Sequence, residues 1–103
     1  MNQIIREKLK EMVELCKNRG VRRLALFGSA ATDSFDRFSS DLDLVVEFKP
    51  MTPVQHAENY FGLMEDLQHL FGISVDLIEI GPIRNPFFKK AVSDTQVVLY
   101  EAA

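Results

Sequence analysis

The sequence predicts an α/β or α+β fold, a β-sheet of about four strands with helices packed on it. Three observations carry that expectation. Four short apolar runs, VRRLALF, LDLVVEF, ISVDLIEI and QVVLY, have the length and the β-branched content of strands. Two longer segments space their apolar residues three and four apart, as a helix with one buried face requires. Glycine and proline fall at the joints between the two kinds of segment.

Taken in order, residues 3–19 read as a helix burying Ile5, Leu9, Met12, Val13 and Cys16, with Gly20 at the C′ stop. Residues 21–27 read as a strand ending at Gly28, and residues 30–40 as a polar stretch with one helical turn and a loop. The second strand, 42–48, is closed by Pro50. Thr52 suits an N-cap with Pro53 at N1, opening a helix whose stripe is Val54, Ala57, Phe61, Met64, Leu67 and Phe71, stopped by Gly72. A third strand spans 73–80 and ends at Gly81 and Pro82. Asn85 and Pro86 then suit an N-cap and N1 for a short helix with Phe87, Phe88, Ala91 and Val92, before a last strand at 96–100. The elements alternate, but their order within the sheet does not follow from the sequence.

A chain of 103 residues without linker or repeat is expected to form one domain, residues 1–103, with one modest core. A formal charge of -3 gives no support to direct nucleic-acid binding, which calls for a basic face. The single cysteine, Cys16, excludes an internal disulfide and, on its helical stripe, reads as a packed core thiol. No run approaches the roughly 18 apolar residues of a membrane span, and the charged N-terminus lacks a signal-peptide core. No membrane association and a cytoplasmic location are therefore expected.

Asp41 and Asp43 stand one residue apart at the entrance of the second strand. Strand alternation points both to one side if the strand begins by Asp41. At about 5 Å and an effective dielectric near 20, two such charges repel by roughly 3 kcal/mol. A divalent cation would remove that repulsion, and Mg²⁺ favours one or two carboxylates with waters and substrate phosphates. A solvated acidic pair, screened by water and basic neighbours, is the other reading. Two further features bear on the choice. Gly28 and Ser29 directly follow an apolar strand, where a glycine admits close approach of a ligand and free N–H groups meet an anion. Asp76 lies inside an apolar strand and by alternation shares a face with Ile78 and Ile80, an expensive place for an unpartnered carboxylate.

LFGS, a loop, SDLDLVVEF, a helix and VDLIEI together resemble the nucleotidyltransferase superfamily signature, and the small size resembles the minimal nucleotidyltransferase (MNT) group. The resemblance covers the chain from about Val21 onwards. It implies a mixed β-sheet flanked by helices and an antitoxin partnered with a HEPN-domain ribonuclease toxin, with AMP passing from ATP to a tyrosine of that toxin. It also implies that Asp41, Asp43 and Asp76 are catalytic and bind Mg²⁺, with Asp76 as third ligand or general base. Gly28 and Ser29 would hold phosphate oxygens of ATP. The shortness of the chain suggests that the partner completes the acceptor site, and homo- or hetero-oligomers are compatible with it.

Where MNT relatives often read GSRARGEA, this chain reads GSAATDSF, with Ala30, Thr32 and Asp33 in place of two basic residues and a glycine. Arg37, Lys49 and Arg84 are candidates to replace the missing cations. The alternative is an antitoxin of weak or absent activity that neutralises its toxin by binding alone. His56 and His69 lack partners at metal-ligand spacing, and Arg22–Arg23 reads as a solvated strand entrance. One of the neighbours Phe87 and Phe88 is a candidate for contact with a partner chain.

Overall fold

The computed structural model describes residues 3–27, 42–79 and 96–102. The polar stretch at 30–40 and the short helix expected from Asn85 to Val92 lie outside these residues.

The helix expected over 3–19 is two helices, α1 (Gln3–Glu7) and α2 (Leu9–Asn18). At Lys8 the backbone turns to φ -102° and ψ 7°, and its N–H donates to the Ile5 carbonyl at 3.2 Å, a tight i→i−3 bond. No glycine or proline marks this break, so periodicity runs the two helices together. Ile5, Met12 and Cys16 are buried as expected, while Leu9 and Val13 are half-buried. Gly20 follows at φ +69°, the left-handed backbone that ends a helix.

Strands β1 (Val21–Leu26), β2 (Leu42–Phe48), β3 (Val75–Glu79) and β4 (Val97–Glu101) form a sheet in the order β3-β2-β1-β4. β1 runs antiparallel to both β2 and β4, and β2 runs parallel to β3, so the sheet is mixed. A parallel pair needs a crossover, which α3 (Pro53–Phe71) supplies between β2 and β3. Its start is a capping box: the Gln55 N–H donates to Thr52 Oγ1 at 3.2 Å and the Thr52 N–H to Gln55 Oε1 at 3.1 Å. Its end is Gly72 at φ +68°, whose N–H donates to the Gln68 carbonyl.

The helices cover one face of the sheet. Leu42, Leu44 and Val46 of β2 join Leu24 and Leu26 of β1, Val75 and Leu77 of β3 and Leu99 of β4 in a core with Met12, Cys16, Leu63, Leu67 and Phe71. Val21 belongs to the same core although it is an odd number of residues from Leu24, because a register irregularity between Val21 and Arg23 re-aims the strand. Tyr60 donates its hydroxyl to the Leu77 carbonyl at 2.6 Å, and Arg19 Nε meets Asp66 Oδ2 at 3.0 Å, tying α3 to β3 and to the end of α2.

The face that α3 buries agrees with the expected stripe at Leu67 and Phe71, with Met64 packed against the core, and departs from it in the first half of the helix. Leu63, Leu67 and Phe71 are buried and Tyr60 packs against them, whereas Val54, Ala57 and Phe61 are exposed. Positions 60, 63, 67 and 71 keep helical spacing as well as the stripe beginning at Val54 does. Apolar residues on both sides of one helix left periodicity unable to choose between them.

Candidate active site

Asp43 and Asp76 are the second residues of β2 and β3, and the parallel register sets them side by side. Leu42 and Leu44 face the helices, so Asp43 projects from the opposite face, and alternation about Val75 and Leu77 places Asp76 on that same face. Adjacent strands lie about 4.8 Å apart, so the two carboxylates start within about 5 Å of each other. Asp43 is half-buried and Asp76 is exposed.

The exposure of Asp76 corrects one expectation. The aspartate stands in an apolar string of sequence, yet water reaches it and screens its repulsion with Asp43. Strand β3 also begins later than expected, at Val75 rather than at residue 73.

Backbone hydrogen bonds lock the strand starts around this pair. The Leu42 N–H donates to the Ser74 carbonyl at 3.0 Å, and the Phe27 N–H donates to the Asp43 carbonyl at 3.1 Å. Phe27 is the residue before Gly28, and Leu42 the residue after Asp41, so the chain leaves β1 and enters β2 beside Asp43. Gly28, Ser29 and Asp41 themselves lie outside the described residues.

Among the described residues no group of three or more His, Cys, Asp or Glu side chains is arranged to hold a metal ion. The Asp43–Asp76 pair nonetheless offers hard oxygen donors, of the kind and number that Mg²⁺ takes alongside waters and substrate phosphates. Of the candidate cations, Lys49 stands six residues past Asp43, about 20 Å away at the far end of β2, with its N–H on the Gly20 carbonyl. Arg37 and Arg84 lie outside the described residues.

That far end holds a second polar group. His56 Nε2 meets Glu79 Oε1 at 2.7 Å, and the imidazole stands edge-on to Phe48 with ring centroids 5.3 Å apart. A hollow of about 340 Å³ opens there, lined by Phe48, Pro50, Met51, His56 and Glu79 among others. Burial pushes the nearby Tyr60 phenol above its ordinary pKa of 10.0, with the charges of Glu79 and Asp76 adding to the effect.

The chain thus combines a mixed four-stranded sheet, helices on one face and an in-register carboxylate pair on the other. The family description "Nucleotidyltransferase domain" matches residues 4–99. The chain belongs to the nucleotidyltransferase domain family. A Methanocaldococcus jannaschii protein named "Putative protein adenylyltransferase MJ1379" is 35% identical over 91 residues, which span 87% of this chain and 89% of that one. A solved "Structure of putative minimal nucleotidyltransferase" superposes with TM-score 0.68 at 29% identity, over 90% of each chain. Two complexes share the fold at lower identity. A crystal structure of a toxin-antitoxin with AMP-PNP gives TM-score 0.70 at 18% identity, over 91% of this chain and 73% of that one. A tri-AMPylated Shewanella oneidensis HEPN toxin in complex with MNT antitoxin gives 0.64 at 15%, over 94% of this chain and 72% of that one.

Proposed function

We propose that this chain, as one domain over residues 1–103, is a Mg²⁺-dependent protein adenylyltransferase of the cytoplasm. It transfers AMP from ATP to a tyrosine hydroxyl of a HEPN-domain toxin and so acts as the antitoxin. The observation that carries this reading is the Asp43–Asp76 pair, in register on the sheet face away from the helices. The relatives named for protein adenylyltransfer, and the fold shared with MNT antitoxins seen with HEPN toxins and AMP-PNP, support it.

In this reading Asp41, Asp43 and Asp76 hold Mg²⁺, which when bound neutralises the triphosphate and draws charge from the α-phosphate. Gly28 and Ser29 bind phosphate oxygens through a backbone N–H and a hydroxyl. Asp76, the more exposed carboxylate of the pair, serves as the third ligand or as the base that takes the proton of an incoming acceptor hydroxyl. The acceptor oxygen bonds to the α-phosphorus, the bond from that phosphorus to the bridging oxygen breaks, and pyrophosphate leaves. Asp43 and Asp76 contribute by orientation, since the strands fix both before substrate arrives.

The test is incubation of the chain with labelled ATP, Mg²⁺ and the protein encoded by the neighbouring gene. Label is expected on the partner, reduced on the order of 100-fold or more by Asp43→Asn combined with Asp76→Asn. Undiminished label on the partner in that double variant sinks the proposal.

Neutralisation by binding alone is favoured by one observation: Lys49 stands at the far end of β2, too distant to replace the basic residues missing after Ser29. That reading requires that the toxin stay silenced, without label, when both aspartates are changed.

A further inference from the structure

The two carboxylates of the site stand on strands with unequal support. Asp43 is on β2, which pairs on one side with β1 and on the other with β3. Asp76 is on β3, a strand of five residues at the edge of the sheet, which among the described residues pairs with β2 alone. The Leu42 N–H donates to the Ser74 carbonyl, and this bond sets the alternation of the parallel ladder. Ser74, Asp76 and Ile78 turn their backbone groups toward β2, while Val75, Leu77 and Glu79 turn theirs outward. The outward row is the open edge of the sheet.

Helix α3 reaches this edge. Tyr60 donates its hydroxyl at 2.6 Å to the outward carbonyl of Leu77, the residue directly after Asp76. The ring that carries the hydroxyl packs against the core, with Phe61 edge-on at 5.2 Å. One turn earlier on the same face of α3, His56 Nε2 meets Glu79 Oε1 at 2.7 Å, at the end of β3. Burial first, and then the charges of Glu79 and Asp76, raise the phenol above its ordinary pKa of 10.0. The hydroxyl is therefore a protonated donor at neutral pH, and it lies within the field of Asp76.

A short strand paired on one side opens more easily than one paired on both. Misplacing a reacting group by about 1 Å costs on the order of 100-fold in rate. We infer that Tyr60 is a positioning residue for nucleotidyl transfer, whose hydrogen bond to the Leu77 carbonyl keeps Asp76 in place beside Asp43. The inference rests on the transferase reading for the work that Asp76 does, and adds to it a residue from the helix side of the sheet. Tyr60 packs with the core on that side, so it acts through the backbone of β3 and not on substrate. Asp43 needs no such tie, because β1 and β3 flank its strand.

The experiment uses Tyr60→Phe, which removes the hydroxyl and keeps the ring, and Thr52→Ala, which weakens the cap of the same helix, as the control for lost stability. Hydrogen exchange by NMR reads the strand directly. The Asp76 and Ile78 N–H groups should exchange about fivefold faster in Tyr60→Phe, relative to those of β1. In AMP transfer to the protein encoded by the neighbouring gene, Tyr60→Phe should lower kcat on the order of tenfold while KM for that protein holds. Thr52→Ala should leave kcat within about twofold of wild type. In an Asp76→Asn background Tyr60→Phe should cost less than about twofold, since no carboxylate is left to place. A kcat in Tyr60→Phe within about twofold of wild type overturns the inference. So does an equal loss in the Asp76→Asn background, an equal loss in Thr52→Ala, or β3 exchange that Tyr60→Phe leaves unchanged. A wild-type chain that transfers no AMP sinks the transferase reading. The placement of Asp76 is then decided by exchange alone: faster β3 exchange in Tyr60→Phe supports it and an unchanged rate overturns it.

Discussion

Gly62 sits in the interior of α3, where an alanine would ordinarily stabilise the helix by about 1 kcal/mol. A methyl group there would run into the guanidinium of Arg19, which lies across this point to reach Asp66. The ion pair is partly exposed, so it is worth at most about 1 kcal/mol, and the guanidinium is the free end of a flexible side chain. The two effects nearly cancel. Gly62→Ala should therefore shift stability by less than about 1 kcal/mol in the wild-type background, and should stabilise by about 1 kcal/mol in an Arg19→Ala background, a coupling that a double-mutant cycle by urea unfolding reads directly.

Gly20 is the opposite case. Its φ of +69° is strained for any side chain, and a methyl group would meet Met51 Cε at 2.9 Å, so Gly20→Ala should destabilise by about 1–2 kcal/mol. Cys16 is fully buried, and burial pushes its thiol from 9.0 up to about 12. The unfolded thiol ionises first as pH rises, so this group's contribution is intact below pH 9.0 and is lost between there and about 12, at no more than about 1.4 kcal/mol per pH unit. A thiol reagent at pH 8 should accordingly leave the folded chain unmodified and react only as it unfolds.

Elements differ in how plainly the sequence declares them. The boundaries of α3 were legible because their causes are local: a threonine cap, a proline at N1 and a left-handed glycine. Thr52→Ala should cost about 1 kcal/mol, seen as a lower urea midpoint with an unchanged slope. Its buried face was legible at Met64, Leu67 and Phe71 but not in the first half, where which of two apolar sides turns inward depends on the sheet it lands on. The break at Lys8 had no local signal at all. Asp76 shows the same limit for a strand: a carboxylate among isoleucines and valines reads as buried, yet β3 leaves that side open to water. The residue types of the site were legible, and the meeting of Asp43 with Asp76 followed only from the family resemblance, since nothing in either residue announces that their strands are parallel and in register.

For the molecule as a whole, ligand binding should be visible as stability. If the carboxylate pair takes Mg²⁺ and ATP in the folded state alone, ligand at about 100 times its Kd adds about 2.7 kcal/mol, and the melting temperature should rise by about 10 °C or more for a domain of this size. Asp43→Asn with Asp76→Asn should abolish the shift in a thermal scan while leaving the ligand-free fold intact.

The parallel pairing of β2 and β3 has a consequence for how such a site can change. The two aspartates share a face only because the chain between them, through α3 and its two stops, returns with the right count of residues. A deletion of one residue within β3 ahead of Asp76 would turn that carboxylate into the helix-side core, even though every amino acid the chemistry needs were still present. The chain should thus tolerate many exchanges along α3 but few changes of length inside its strands. What is inherited at this site is a spacing as much as a set of side chains.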